Sequence, residues 1–111
     1  MAEHGEWARK GATLSEVTAM AEYDIDRDFI IKGIEDGKLE YRDGAIWGNP
    51  FLRILRSQLE KYMATELGPE YLIRVKSEFE LKTVKKEITK TKKQLNILEF
   101  RKRELEALIS R

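Results

Sequence analysis

The sequence predicts a mainly α protein with one small β-hairpin, in which a small domain is followed by a long C-terminal helix. Three observations predict this fold class. Residues 13–37 contain two short segments of helical periodicity, each preceded by a capping residue. An Asp43-Gly44 pair lies between two alternating segments, and residues 70–111 contain neither Gly nor Pro. The 111 residues suffice for one small domain and an extension.

The first twelve residues show neither helical nor strand periodicity, so we predict that residues 1–12 form a flexible arm that packs only through Trp7. Thr13 and Glu16 then have the spacing of a capping box, in which the two side chains satisfy backbone donors at the start of a helix. We therefore predict a first helix over about residues 14–22.

A second helix is predicted over Arg27–Asp36. Asp26 precedes it and is suited to accept from the exposed amides of the first helical turn. Gly37 follows it at the position where a left-handed residue commonly ends a helix. Two short helices joined by a turn of three to four residues form a helix-turn-helix arrangement.

A hairpin is predicted next, because Asp-Gly suits a two-residue turn in which both residues have positive φ. Its strands are residues 38–42 and 45–48, joined by Asp43-Gly44. In this register Tyr41 lies opposite Ile46 on the core face, and Trp47 points outward.

A third helix is predicted from Asn49, which would cap it, with Pro50 at the first helical position where the missing N–H costs nothing. Gly68-Pro69 ends this helix. From Glu70 one helix of about 40 residues is predicted, roughly 60 Å long at 1.5 Å per residue.

The long helix carries a heptad seam with apolar residues spaced alternately three and four apart. Its apolar positions are Leu81, Val84, Ile88, Leu95, Leu98, Leu105 and Ile109, with the polar Thr91 and Lys102 between them. A seam of this length predicts self-association, most simply as a dimer through the C-terminal helix.

Charge is divided unevenly along the chain, although the formal net charge is only +1. Residues 13–66 hold eleven acidic and seven basic residues, whereas residues 67–111 hold seven acidic and twelve basic residues. The basic block includes Lys82, Lys85, Lys86, Lys90, Lys92 and Lys93. Two interpretations stay open: these lysines are the solvated flank of a coiled coil, or they contact phosphates.

Several function classes are not expected. The chain has no cysteine, and its one histidine, His4, lies in the N-terminal tail. The sequence contains no phosphate-binding loop, no nucleophile elbow and no calcium-loop spacing. We therefore expect no catalytic activity, no cofactor, no metal and no small-molecule substrate. An apolar run long enough for a membrane span is also missing, so we expect a cytoplasmic protein without membrane association.

The order of capping box, helix, turn, helix, hairpin and return helix over residues 13–62 resembles the excisionase-like and MerR-like winged helix-turn-helix DNA-binding domains. The most characteristic stretches are Ile34-Glu35-Asp36-Gly37-Lys38-Leu39 and Arg56-Ser57-Gln58-Leu59-Glu60-Lys61-Tyr62. MerR-like regulators also place a long dimerising helix after the domain, and phage small terminase subunits have a comparable arrangement. Together with the patterns above, the resemblance divides the chain into three parts: a flexible arm over 1–12, a winged helix-turn-helix domain over 13–67 and a coiled-coil helix over 70–111.

The resemblance makes Arg27–Asp36 the recognition helix and Lys38–Gly48 the wing. The DNA contacts it implies are Arg27, Lys32, Lys38 and Arg42, and the basic run of the long helix adds Lys82, Lys85 and Lys86. We expect a transcriptional regulator or a phage-type accessory factor that binds double-stranded DNA as a dimer.

An alternative hypothesis is a protein-interaction or oligomerisation module that keeps this scaffold without binding DNA. The recognition helix and its flanks carry more acids than bases, which is unfavourable beside a polyanion. Ile31 and Trp47, both predicted to face outward, would then form an apolar contact patch with the seam as a second interface. It stays open whether another part of the chain covers this patch.

Overall fold

The structure is a computed structural model and describes residues 5–111. A short 3-10 helix comes first, followed by three strands and four α-helices. Their bounds are Gly5–Ala8 for the 3-10 helix, then β1 Thr13–Ser15, α1 Glu16–Tyr23, α2 Arg27–Glu35, β2 Tyr41–Ile46, β3 Asn49–Leu55, α3 Arg56–Leu67 and α4 Pro69–Ile109. The predicted fold class is confirmed: the protein is mainly α with a small hairpin and a long C-terminal helix. The sheet contains one strand more than predicted, because β1 pairs with β3 in the order β1-β3-β2.

The chain divides into two compact units, one ending at Ser77 and the other comprising Glu78–Arg111. We call the described residues 5–77 the head and residues 78–111 the stem. The core of the head consists mainly of apolar side chains from α1, α2, β3 and α3, and the largest that are fully buried are Tyr23, Ile30, Ile54, Leu59 and Met63. Val75 of α4 is buried in the same cluster, so the first turns of the long helix belong to the head.

The predicted start of the first helix is wrong by about two residues. Thr13 does not cap a helix but lies in β1 opposite Leu55 of β3. The cap is Ser15, whose Oγ accepts from the amide of Thr18 at 3.1 Å. The reason is non-local: pairing with β3 holds residues 13–15 extended, and α1 begins at the next residue.

The second helix forms as predicted, one residue shorter. Asp26 Oδ1 accepts from the amide of Phe29 at 2.8 Å, and α2 ends at Glu35. Gly37 has φ +74° and its amide donates to the carbonyl of Ile34 at 3.1 Å. Both ends of α2 are therefore set by residues within or next to the helix.

The predicted hairpin turn is wrong. The turn is Trp47-Gly48, whose φ values are +54° and +81°. Asp43 and Gly44 lie inside β2, opposite Leu52 and Phe51 of β3. Gly44 is required for space, because a Cβ there would lie 2.6 Å from Cζ of Phe51.

The predicted helix start at Asn49 is also wrong, since Asn49–Leu55 forms β3 and α3 begins at Arg56. Pro50 lies opposite Ala45, in a part of β3 that β1 does not reach. A proline is tolerated at such a position because one side of the strand has no ladder partner. The predicted break between the last two helices is confirmed, with Gly68 between α3 and α4.

The N-terminal residues contact the rest of the head through more than Trp7. The carbonyl of Ala12 accepts from the amide of Arg56 at 2.8 Å, which satisfies a donor at the start of α3. The hydroxyl of Ser57 donates to the carboxylate of Glu6, with 2.9 Å to Oε2. Trp7 itself is 8% exposed. These contacts connect the segment before β1 to the first turn of α3.

A polar network joins α1, α3 and the first turns of α4. The hydroxyl of Tyr23 donates to Glu60 at 2.6 Å and accepts from Arg56 at 2.8 Å. Arg56 also pairs with Glu22 at 2.6 Å, and Glu60 pairs with Lys76 at 3.1 Å. Burial and the hydrogen bond to Glu60 raise the pKa of the Tyr23 phenol well above its ordinary value, although Arg56 opposes this. The phenol is therefore held in its protonated form.

Candidate nucleic-acid interface

The predicted recognition helix α2 presents Arg27 at its first position. Arg27 Nε lies 3.1 Å from Glu16 Oε2 of α1, in a pair where the arginine side chain is 62% exposed and the glutamate 13%. An exposed pair of this kind contributes little to stability, at most about 1 kcal/mol. Its effect is to orient the guanidinium along α1 and to compensate its charge.

Beyond Arg27, the surface of α2 carries one basic and two acidic residues. Lys32 is exposed, as predicted, and shares this surface with the exposed Asp28 and Glu35. Ile31 is half-buried, so it offers less apolar surface than the sequence predicts. Apart from Arg27, Lys32 is the only basic residue on this surface that α2 could offer to a polyanion. Most of the electrostatic attraction to a polyanion would therefore have to come from other parts of the protein.

Lys38 is exposed directly after the glycine that ends α2. It borders an open cleft of about 320 Å³ between this turn and α3. Lys61 and Glu66 also line the cleft, together with Gln58, Tyr62 and Thr65. Gln58 Oε1 accepts from the amide of Glu40 at 2.8 Å and so fixes the chain that leads from Lys38 into β2.

The hairpin places two arginines directly opposite each other. Arg42 of β2 is the partner of Arg53 of β3 in the strand register. Like charges at such positions repel each other. The ring of Trp7 lies beneath both, with its centroid 4.4 Å from Cζ of Arg42 and 5.8 Å from Cζ of Arg53. Both guanidinium groups are therefore in cation–π contact with the same indole ring.

Arg53 and Trp7 were not predicted as site residues. Arg53 is missed because the sequence predicts one helix from Asn49 to the break at Gly68-Pro69, which hides its pairing with Arg42. The run Phe51-Leu52-Arg53-Ile54-Leu55, apolar and β-branched around one charge, is a signal for a strand that could have revealed it. Trp7 was recognised only as the packing residue of the arm.

Trp47 is 96% exposed, as expected for an outward-facing residue. Its position differs from the prediction, because it is the first residue of the hairpin turn and not a strand residue opposite Glu40. Trp47 and Ile31 thus differ in exposure, and only Trp47 offers a complete apolar side chain to a partner.

The stem exposes both its heptad seam and its lysines. The predicted seam residues Leu81, Val84, Ile88, Leu95, Leu98, Leu105 and Ile109 are between 42% and 82% exposed. Lys82, Lys86, Lys90 and Lys93 follow one another at intervals of four, four and three residues, which aligns them on one helix face. We call these four residues the lysine stripe. At 100° per residue, the stripe lies roughly opposite the seam, whereas Lys85 and Lys92 flank the seam.

The predicted DNA contacts therefore fall into two groups in separate units. Arg27, Lys32, Lys38 and Arg42 belong to the head, and Lys82, Lys85 and Lys86 belong to the stem. Within the head, the structure adds Arg53 to Arg42 on the hairpin. The hairpin places two cationic residues directly opposite each other, and the lysine stripe places four on one helix face.

Residues 5–111 lack the features of two other kinds of site. They contain no group of three or more His, Cys, Asp or Glu side chains arranged to hold a metal ion. None of their helices combines the length and the apolar character that a membrane crossing requires.

In comparisons with known proteins, no family model, no curated protein and no solved structure matches this chain.

Proposed function

We propose that this protein binds double-stranded DNA as a winged helix-turn-helix protein of excisionase-like or MerR-like type, acting as a dimer in transcription regulation or as a phage-type accessory factor. In this proposal α1 and α2 form the helix-turn-helix and the β2–β3 hairpin is the wing. The observation that carries the proposal is the Arg42–Arg53 pair, held on the ring of Trp7.

The arginine pair is suited to a phosphate for two reasons. Two guanidinium groups placed opposite each other repel in the free protein, and an anion bound between them relieves that repulsion. Arginine also presents several N–H donors in a planar fork that matches phosphate oxygens. Trp7 contacts both guanidinium groups through its ring, and a ring contact of this kind is compatible with N–H donation to an anion.

The roles within the head follow from its charges. The wing pair supplies phosphate contacts, and Lys38 adds a cation where α2 leads into the wing. Lys32, with Asp28 beside it, faces the bases from α2. Because α2 has little net charge and Arg27 is already paired with Glu16, α2 contributes more to the choice of sequence than to affinity.

The stem supports dimerisation and additional phosphate contacts. The apolar residues of an exposed heptad seam are buried when a second helix packs against them. A second copy of the chain supplies a helix with the same seam. In the lysine stripe, Lys82, Lys86 and Lys90 are spaced four residues apart, and like charges at this spacing destabilise a helix. Only one acid, Glu87, occurs in residues 82–93, which favours binding of a polyanion over a merely solvated face.

The proposal is tested by fluorescence anisotropy of labelled mixed-sequence duplexes titrated with the full chain at low salt. We expect binding at micromolar protein that weakens steeply with added salt. Arg42→Glu and Arg53→Glu should each reduce affinity by at least tenfold. Arg74→Glu is a matched control, because Arg74 also lies over an aromatic ring, that of Tyr71 at 5.1 Å, but outside the wing. No binding at tens of micromolar protein would refute the proposal.

The alternative function is a protein-interaction or oligomerisation module without DNA binding. The balanced charge of α2 and the full exposure of Trp47 favour it. The two functions differ in the same titration, because a module of this kind shows no salt-dependent duplex binding and no response to Arg53→Glu.

A further inference from the structure

Among the side chains of the head whose burial the structure describes, Trp47 is the least buried large apolar one, at 96% exposure. Among other aromatic side chains of the head, Trp7, Tyr23 and Tyr62 are at most 8% exposed, and Tyr41 is 50% exposed. An indole left in water forgoes one of the largest gains in burial that a side chain can provide. Folding of the head therefore gives no reason for a tryptophan at this position.

The backbone at Trp47 is also unfavourable for tryptophan. Among the described residues, the only non-glycine residues with positive φ are Asp24, at +52°, and Trp47, at +54°. Asp24 follows the end of α1, and aspartate tolerates this region. A bulky side chain does not, and two-residue hairpin turns prefer Asn, Asp or Gly here. Exposure and backbone strain thus both indicate that Trp47 is retained for contact with something outside the head.

The surroundings of Trp47 indicate what it contacts. Residues 44–52, which form the tip of the hairpin, contain no charged side chain. The Arg42–Arg53 pair lies further along the same two strands, about 15 Å from the turn at the rise of a β-strand. An apolar tip with cations behind it matches a partner whose interior is apolar and whose edge is anionic, as in stacked bases with flanking phosphates.

We propose that Trp47 inserts its indole against the bases of the DNA that the head binds, while Arg42 and Arg53 contact the flanking phosphates. This inference rests on the proposed function and assigns the base contact to the wing tip. Apolar side chains that enter a DNA groove act as wedges against base steps, and aromatic rings stack on bases of any sequence. A minor groove about 6 Å wide admits a single ring at a hairpin tip but not the two-stranded ribbon behind it.

The chain offers a direct test, because it contains only two tryptophans. In Trp7→Phe, which keeps an aromatic ring beneath the arginines, Trp47 is the sole tryptophan reporter. We titrate this variant with duplex DNA and follow anisotropy of the labelled DNA, tryptophan emission and acrylamide quenching together. At saturation we expect the emission to be quenched and the acrylamide quenching constant to fall severalfold.

A second set of variants distinguishes the contribution of the indole ring to binding from the effect of residue 47 on the hairpin turn. Trp47→Asn places a residue suited to the turn and removes the ring, so it should weaken duplex binding roughly tenfold or more while the melting temperature stays equal or rises. Trp47→Tyr should retain most of the affinity. Ile73→Ala, which shortens a 64% exposed apolar side chain of the head outside the wing, should leave binding unchanged.

The outcomes distinguish the inference from the proposed function. Failure of the duplex to bind at all refutes the proposed function and this inference with it. Anisotropy that saturates while the emission and quenching of Trp47 stay those of the free protein overturns the inference alone, as does full affinity in Trp47→Asn. A blue shift of Trp47 emission with phosphatidylcholine–phosphatidylserine vesicles, in the absence of such a change with duplex, would assign the wing tip to a lipid surface and also overturn it.

Discussion

At the scale of single residues, the glycines of the head show that one residue type has two uses. Gly37 and Gly48 have positive φ and end a helix or close a turn. Gly44 is needed because the ring of Phe51 occupies the space of a Cβ, and Gly33 because Leu39 does. Sequence pattern predicted the first use for Gly37 but placed Gly48 in a strand, and it cannot detect the second use, since the space depends on a partner distant in the chain.

Gly33→Ala tests the second use. The new Cβ would lie 2.7 Å from Cδ1 of Leu39 and 2.8 Å from Cε2 of Tyr62, both in the core of the head. We expect the free energy of unfolding to fall by about 1–3 kcal/mol, even though alanine favours a helix over glycine by about 1 kcal/mol. Urea unfolding measures the change. Lys32→Ala, on the exposed surface of the same helix, should stay within about 0.5 kcal/mol of the original protein.

Tyr23→Phe removes the hydroxyl that links Glu60 and Arg56. Both partners lose a hydrogen bond in a partly buried site, so we expect a loss of about 1–3 kcal/mol in unfolding free energy near neutral pH. A double-mutant cycle with Glu60→Gln should give a coupling of at least 0.5 kcal/mol, on the order found for residues that share a network. Strictly additive single effects would contradict the network.

The effect of Tyr23→Phe on the free energy of unfolding should also depend on pH. The pKa of Tyr23 is raised in the folded protein, so the folded state holds this proton more tightly than the unfolded chain. The resulting stability is present below the ordinary tyrosine pKa of about 10 and is lost as pH rises above it. We therefore expect the stability difference between the original protein and Tyr23→Phe to shrink from pH 9 to pH 11. A constant difference across that range would contradict the assignment.

At the scale of elements, the sequence predicts best where the signals are local. Asp26 and Gly37 both act on α2 directly, and both were predicted. The strand β3 was not, because Asn49-Pro50 is also a common helix start, and only pairing with β1 and β2 makes the segment extended. The same pairing hides Arg53, one of the two site residues that the sequence prediction missed. Non-local hydrogen bonds are the shared reason for both failures.

The lysine stripe makes a prediction at this scale. Lys86 has Lys82 and Lys90 four residues away on either side. Lys86→Glu should therefore raise the helicity of the stem slightly, by removing two like-charge contacts, and should also weaken duplex binding. The slope of log affinity against log salt should become shallower by about 1–2. Circular dichroism and anisotropy measure the two effects. Arg111→Glu, beyond the end of α4, applies the same charge change outside the stripe and should alter neither quantity appreciably.

At the scale of the whole molecule, near-neutrality conceals two oppositely charged units. Residues 5–77 hold thirteen acids and eleven bases, whereas residues 78–111 hold six acids and ten bases. The proposed DNA contacts thus depend on the two groups of cations, one on the wing and one along the lysine stripe, and not on the net charge of the protein. Composition predicted this asymmetry correctly, but only the strand register revealed the cation pair within the acidic head.

Dimerisation through the seam is the prediction that concerns the whole protein. Leu95→Asp places a charge in the middle of the exposed seam and should give a monomer by sedimentation at micromolar concentration. Because a dimer presents two heads to one duplex, this variant should also bind DNA at least tenfold more weakly. Lys93→Asp, on the stripe, should leave the sedimentation coefficient unchanged. A clean monomer of the original protein would contradict the proposed dimer.

The burial of Val75 sets a limit on how this chain can vary in length. Val75 lies in the core of the head, and no residue from Lys76 to Arg111 is buried. An insertion or deletion of seven residues within the stem therefore leaves the packing of the head untouched and keeps the seam and the lysine stripe in phase on both sides of the change. Insertion of three or four residues would instead rotate the following seam relative to the preceding one. Homologues of this protein should thus differ in stem length by whole heptads, while the number of residues between Thr13 and Val75 stays nearly constant.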